Sequence, residues 1–301
     1  KTSVKNKEKT GSHSLTMKLL LLLLGTAISL SLAAEGEYSY SDQAAWGGVC
    51  TTGERQSPIA IDVNSVKNTV SYISHIASFG GSQTVTKETE GLQTVQFDLT
   101  DIPTIVMPDT WPVGHTKGLQ VLQLHFHWGT SGAGGSEHKL FGKHYKGEAH
   151  LVTRNLDQMD FEADDYLAVF GVFLQTGVIA QADAISESIA DLVAGRSTNI
   201  NLDDLYKPQT KSIFTYRGGL TTPGCNEIVF WQVLEEPITL SVDDMNALRG
   251  SVAYDENFRE IQELNGRDIT HRLLDQHYDS GSSRSQLPFL ALVFVTLFYL
   301  M

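Results

Sequence analysis

A sheet-dominated α+β domain with a few surface helices is the fold this sequence predicts, and three observations carry the prediction. Apolar and polar residues alternate with a period of two through most of the central region. Helical periodicity is confined to two short stretches. Both ends of the chain have compositions that no packed core has. The 301 residues therefore reduce to one folded unit, residues 34–279, with no internal repeat, low-complexity tract or Pro/Gly-rich linker to divide it.

Residues 1–16, "KTSVKNKEKTGSHSLT", are polar and charged with no apolar period, and are read as an upstream segment outside the domain. Residues 17–33 follow with Lys18, an apolar run from Leu19 to Leu32, and small residues at Ser31, Ala33 and Ala34. That order is the order of a secretory signal peptide cleaved near Ala33 or Ala34. A spanning helix needs about 20 apolar residues, more than this run has. Residues 280–301 run from the small residues Ser280–Ser283 through a short spacer to an apolar tail, Leu287–Met301. This is the layout of a GPI-attachment signal, with a single-span tail anchor as the alternative and a spacer shorter than the usual roughly 8–12 residues.

Within the domain, "VQFDL" (95–99), "LQVLQLHFHW" (119–128), "EAHLVTR" (148–154), "LAVFGVFLQ" (167–175) and "EIVFWQVL" (227–234) read as strands. "DAISESIADLVAG" (183–195) places Ile185, Ile189, Leu192 and Val193 on one helical stripe ending at Gly195. Ser241, three residues before Asp244, resembles a capping box that opens "DDMNALR".

The formal charge is −13, and removing residues 1–33 takes away five Lys and one Glu, leaving −17. Such a surface repels phosphate backbones and argues against nucleic acid as a partner. Two cysteines, Cys50 and Cys225, fall inside the domain. In a secreted chain an isolated pair is most simply a disulfide, here worth roughly 5 kcal/mol by the chain-entropy argument; two free buried thiols are the alternative.

The chemistry starts at "QLHFHWG" (123–129). A two-residue period puts Gln123, His125 and His127 on one face, and Leu122, Leu124, Phe126 and Trp128 on the other. Two histidines at i and i+2 can share a metal ion, although H-x-H alone is a weak signal. In "GEAHLV" a second strand adds Glu148, His150 and Val152 on one face. Gln123 and Glu148 are placed to receive the outer ring N–H of a ligating histidine, which fixes its tautomer and raises its basicity. Three histidines without Cys or Asp form the ligand set of a catalytic zinc that keeps one position for water.

The blocks "ERQSPI" (54–59), "QLHFHWG" (123–129), "GSEH" (135–138), "EAHLV" (148–152), "LAVFGVFL" (167–174) and "GGLTTPGCNEIVFWQVL" (218–234) stand in the order and with the gaps of the α-class carbonic anhydrases, which the domain resembles over nearly its whole length. The lone cysteine pair and "AWGGVC" resemble the extracellular, membrane-anchored members in particular. The resemblance implies a single domain on a large central, mostly antiparallel twisted β-sheet. It implies Zn2+ as cofactor, held by His125, His127 and His150, and reversible hydration of CO2 to bicarbonate and a proton by zinc-bound hydroxide. Thr221 would accept a hydrogen bond from that hydroxide and donate its own proton to Glu137. The Thr221 N–H and the Thr222 side chain would complete bicarbonate binding, and Val152, Val169, Leu220, Val229 and Trp231 would form the apolar wall for CO2. The Cys50–Cys225 bridge would brace the loop that presents both threonines.

One departure bears on turnover. Fast family members carry a histidine after N-G as proton relay, and here the corresponding "TEGLQTVQF" (89–97) has Leu92 after the glycine. Proton export is expected to lean on external buffer. His75 and His115 are candidate substitutes, and Tyr40 in "YSYS" stands where the family has a tyrosine in its water network. The partners implied are CO2 and bicarbonate, and the outer membrane leaflet through a lipid anchor. The alternative is a non-catalytic carbonic-anhydrase-like binding or matrix protein, but such a relative is expected to lose a zinc histidine. An ester hydrolase is a second alternative, disfavoured because no binding subsite is evident.

Overall fold

The computed structural model describes residues 38–274, apart from 74–75, 91, 131–133, 179–181, 184 and 207–210. The expected upstream segment, signal peptide and C-terminal attachment signal lie outside the described residues, as does His75. Thirteen strands are described: β1 (Ala60–Ile61), β2 (Val66–Ile73), β3 (Ser82–Glu88), β4 (Gln96–Leu99), β5 (Thr104–Ile105), β6 (Leu119–Trp128), β7 (Lys139–Leu140), β8 (Gly147–Asn155), β9 (Leu167–Gly177), β10 (Asn199–Asn201), β11 (Ser212–Gly218), β12 (Val229–Ser241) and β13 (Ile269–Leu274). The helices are short: a 3-10 helix over Tyr40–Trp46, then α1 (Val49–Thr52), α2 (Ile185–Val193), α3 (Leu202–Tyr206) and α4 (Val242–Arg249).

One large sheet in the order β10-β3-β4-β6-β8-β9-β12-β11-β13-β2, with β5 on β6, organises the molecule. Its pairings are antiparallel except β9 with β12 and β2 with β13. A sheet-based α+β domain with few helices is thus what the chain forms. The central strands carry almost unbroken buried sequence, as β8 and β9 do, because both faces are covered. On one face Leu124, Phe126, Trp128, Leu151, Phe170, Val172, Phe230 and Leu234 pack with Ile189 and Leu192 of α2 and Met245 and Leu248 of α4. On the other face Val152, Val169, Phe173, Phe214, Tyr216, Val229, Trp231 and Val233 form a second cluster.

The even alternation expected of Leu122 to Trp128 is broken at one residue. The register of β6 against β8 shifts between Val121 and Gln123, so Leu122 is an extra residue on its strand. Leu119 and Val121 pack with Leu124, Phe126 and Trp128, but Leu122 turns to the second cluster, among Val152 and Val229. The expectation that Leu122 shares a face with Leu124 is corrected by this bulge. β12 also runs further than the alternation in 227–234 indicates, through Pro237. Its pairing with β11 ends at Leu234, so the missing N–H of Pro237 costs no ladder bond on that side, and a register shift against β9 accommodates it. Ser241 caps α4 as expected, accepting from the Asp244 N–H at 3.0 Å.

Candidate metal centre

His125 and His127 stand on β6, and His150 faces them from β8, where it is the cross-strand partner of His125. The shared face lies on the side of the second cluster. His127 and His150 are buried, and His125 is half-buried. Each ring spends one nitrogen on an acceptor. His125 Nδ1 donates to Gln123 Oε1 at 2.8 Å, His127 Nδ1 to the Asn257 carbonyl at 2.7 Å, and His150 Nε2 to Glu148 Oε1 at 3.0 Å. The remaining three nitrogens are therefore lone pairs, and they converge. His125 Nε2 lies 3.0 Å from His127 Nε2 and 3.3 Å from His150 Nδ1. Two nitrogens about 2.0–2.1 Å from a tetrahedral zinc are about 3.3 Å apart. Three facing lone pairs with no proton between them fit a cation and little else.

Electrostatics favour the neutral form of two of these rings, His125 and His127. Burial first, then His127 and His150, push the His125 imidazole well below the usual histidine range. Burial also lowers His127, with the nearby Glu137 opposing it. Burial alone would raise Glu148, but His138 and His150 outweigh it and hold the carboxyl well below the usual range. Glu148 is fully buried and accepts three times: from His138 N at 2.8 Å, His138 Nδ1 at 2.7 Å and His150. His138 hands its other nitrogen to the Tyr216 hydroxyl at 2.7 Å, and Tyr216 donates to Ser57 Oγ at 2.9 Å.

Glu137, also fully buried, sits behind the triad with Oε2 3.9 Å from His150 Nδ1. Its Oε1 accepts from the Arg259 N–H at 2.9 Å, and its Oε2 has no hydrogen-bond partner among the described residues. The Thr221-to-Glu137 hydrogen bond expected from the sequence is thus not made in this structure. Thr221 is buried and Thr222 half-buried, in the turn that follows β11. Cys50 and Cys225 are joined as expected, with 5.0 Å between Cα atoms. Arg259 ties this region together, donating to the carbonyls of Ser57, Leu220 and Cys50.

The five apolar residues expected beside the triad cluster together. Val152, Val169, Val229 and Trp231 are buried in one cluster, with Leu220 packed against it, and the Trp231 ring centroid lies 4.9 Å from that of His150. Tyr40 is buried against Tyr38 and Trp46. Burial, then Tyr38 and Glu137, raise its hydroxyl well above the usual range. Leu92 is half-buried. His115 is exposed on a loop whose Trp111 and Val113 pack into the opposite face of the sheet, away from the triad. The residues that sequence reasoning missed are Asn257, His138 and Arg259. Asn257 is 130 positions from the ring it serves, so no local spacing could have shown it.

The profile of the eukaryotic-type carbonic anhydrases matches residues 41–273. The chain is 31% identical over 257 residues to a Caenorhabditis elegans chain classed with the carbonic anhydrases, covering 78% of this sequence and 97% of that one. It is 32% identical over 216 residues to carbonic anhydrase 3 of Sus scrofa, covering 68% and 81%. Carbonic anhydrase 4 of Mus musculus matches at 30% over 166 residues, half of this chain and 54% of its own length. With the triad on its two strands and the apolar wall beside it, this chain belongs to the eukaryotic-type carbonic anhydrase family.

Proposed function

We propose that the chain is a zinc enzyme that interconverts CO2 and bicarbonate plus a proton. The observation that carries this is the convergence of three imidazole lone pairs, each ring oriented by an acceptor, beside a dry apolar wall. Zinc fits this donor set, and when bound it supplies Lewis-acid activation of a water molecule at its open position. Glu137 Oε2, buried and without a donor, is the natural acceptor for the Thr221 hydroxyl proton. A hydroxyl that donates there has only lone pairs left, so it accepts from species that carry a proton and turns others away. The Thr221 N–H and Thr222 hold bicarbonate. Val152, Val169, Leu220, Val229 and Trp231 exclude water and hold apolar CO2 where it reacts.

The setting proposed for this activity is the extracellular face of the plasma membrane. It rests on the signal-peptide pattern of residues 17–33 and the small-residue, spacer and apolar-tail order of residues 280–301. Lipid anchoring and the membrane-anchored subgroup are part of the same proposal. The Cys50–Cys225 bridge fits an oxidising compartment. Zinc content and CO2 hydration of the full chain, beside a His127→Ala variant, test the reading. One zinc per chain is expected, with both metal and hydration lost in the variant. A chain that holds zinc without hydrating CO2 would be a binding protein on this fold.

A further inference from the structure

Two surface patches of this molecule are each incomplete, and each has what the other lacks. The first is a groove of about 660 Å³ between the β1–β2 connection, the turn after β7 and the segment before β13. Its cations are Lys67 and Arg267, its carboxylate is Asp62, and Val63, Phe141 and Leu264 give it apolar walls. Val63 is 74% exposed and Phe141 47%. Phe141 stands at φ +47°, which few non-glycine residues adopt, and its N–H is fastened to the Ile61 carbonyl at 2.8 Å. Arg267 donates from Nε, Nη1 and Nη2 to the carbonyls of Leu264, Arg217 and Glu263 at 2.8, 3.1 and 2.8 Å. These acceptors take three N–H groups and none of the charge, and burial pulls the guanidinium below its usual range. Neither Arg267 nor Lys67 has a carboxylate in an ion pair among the described residues. In a chain of formal charge −13, the groove is left with a positive surplus.

The second patch is the tip of the loop between β8 and β9. Met159 and Phe161 are 72% and 65% exposed on either side of Asp160, and the exposed Glu162 follows. Single exposed apolar residues are ordinary, whereas two flanking a carboxylate on one braced tip form a small patch. The bracing is internal. Gln158 Oε1 accepts from the N–H groups of Met159 and Asp160 at 3.0 and 3.2 Å, and Asp160 Oδ1 from that of Glu162 at 3.0 Å. Further along, Asp164 and Asp165 are taken by Arg55 and Arg217, but Asp160 and Glu162 meet no cation among the described residues.

The two patches are neighbours. Arg217, which grips Asp165 at the end of the loop, also gives its carbonyl to Arg267 of the groove. No residue of the loop lines the groove of its own chain. Complementary patches that lie side by side meet their counterparts across a two-fold axis, loop to groove and groove to loop, in a closed pair. Both surfaces are set in shape beforehand, so little ordering opposes the contact. We propose that the occupant of the groove is a second copy of this chain. Residues 159–162 of each copy dock in the groove of the other, with Phe161 against Phe141 and Val63, and with Asp160 and Glu162 facing Lys67 and Arg267. This pairing needs neither metal nor substrate and stands apart from the catalytic reading.

Sedimentation equilibrium of the full chain in density-matched detergent, over a range of protein concentrations, tests it with two charge reversals. Lys67→Glu and Glu162→Lys alter exposed side chains, so both variants should melt with the parent. The parent is expected to form dimers. A like-charge contact occurs twice in a two-fold pair, so either variant should raise the dissociation constant about a hundredfold, about tenfold per contact. Mixing the two variants sets opposite charges together again in both contacts and should return the constant close to the parental one. A parent that stays monomeric overturns the proposal and leaves the groove to a separate acidic partner. Dimers that either variant leaves intact are held elsewhere, and variants that fail to recover on mixing have a groove and loop that do not meet. Each of those results overturns it too.

Discussion

Gly171 lies on β9 directly across from His150, and a methyl group there probes how firmly Glu148 is held. A Cβ built at Gly171 would come within 2.7 Å of Glu148 Oε1, closer than real Cβ atoms come to any neighbour. In an ordinary strand, Gly→Ala at compatible dihedrals stabilises by about 0.4–1 kcal/mol. Here the oxygen cannot step aside freely. The carboxylate is held by the His138 N–H at 2.8 Å and the His138 ring at 2.7 Å, as well as by His150. Overpacking of this kind costs about 1–3 kcal/mol, and displacing Oε1 would forfeit hydrogen bonds to a charged group worth about 1.5–3 kcal/mol each. Gly171→Ala is therefore expected to be destabilised by about 1–3 kcal/mol net, or about 2–12 °C in Tm for a domain of this size. Its zinc release should be faster because His150 loses its orienting acceptor. Calorimetry of the metal-free protein and chelator-driven zinc release read the two effects separately. A variant that gained stability and released zinc at the parental rate would show that Glu148 is free to adjust, and the account of His150 orientation would fail with it.

Three further outcomes are expected. Replacing Cys50 and Cys225 with serine removes the constraint on a loop of 175 residues and should lower stability by up to about 5 kcal/mol in urea unfolding; an unchanged midpoint would contradict this. Metal-free protein should lose stability as pH falls below about 6.5. His125 and His127 titrate lower when folded than when unfolded, so the unfolded chain binds more protons there, with a slope of up to about 2.7 kcal/mol per pH unit. Glu148, depressed in the folded state, adds a further loss once pH drops through the ordinary carboxylate range, and urea midpoints that stay flat from pH 7.5 to pH 4 would refute both. With Leu92 in place of a relay histidine, CO2 hydration should fall steeply as buffer is diluted and Leu92→His should flatten that dependence; a buffer-independent parental rate would refute it.

How much of this was legible in the sequence depended on whether the relevant contacts were local. The triad was legible because two of its histidines sit at i and i+2 on one strand, and the third brings Glu148 on its own face. Alternation also put Val229 and Trp231 on one wall. The same rule misplaced Leu122, because one extra residue in β6 leaves no mark in the pattern that follows it. β2, β3, β11 and β13 went unread since "VKNTVSYI", "SQTVTKE", "SIFTYRG" and "ITHRLL" mix polar residues into the apolar pattern, and the register of β2 against β13 joins segments about 200 positions apart. Asn257 and Arg259 were invisible for the same reason. Their partners at the site, His127 and Glu137, lie more than a hundred positions away, beyond the reach of any local spacing.

The division of labour that results has a physical logic. The three histidines stand on adjacent central strands of a sheet covered on both faces, His127 and His150 buried and His125 half-buried. The groups assigned to select and hold substrate, Thr221 and Thr222, stand on a turn, which must be made rigid by other means. The Cys50–Cys225 bridge and the Arg259 contacts to Leu220 and Cys50 supply that rigidity from outside the sheet. Arg259 then connects the two regimes, because its guanidinium grips the turn while its N–H grips Glu137 behind the triad. The substitution of Leu92 for a relay histidine touches neither regime. On the proposed function it bears on how the proton is exported and not on whether the metal and its substrate are held.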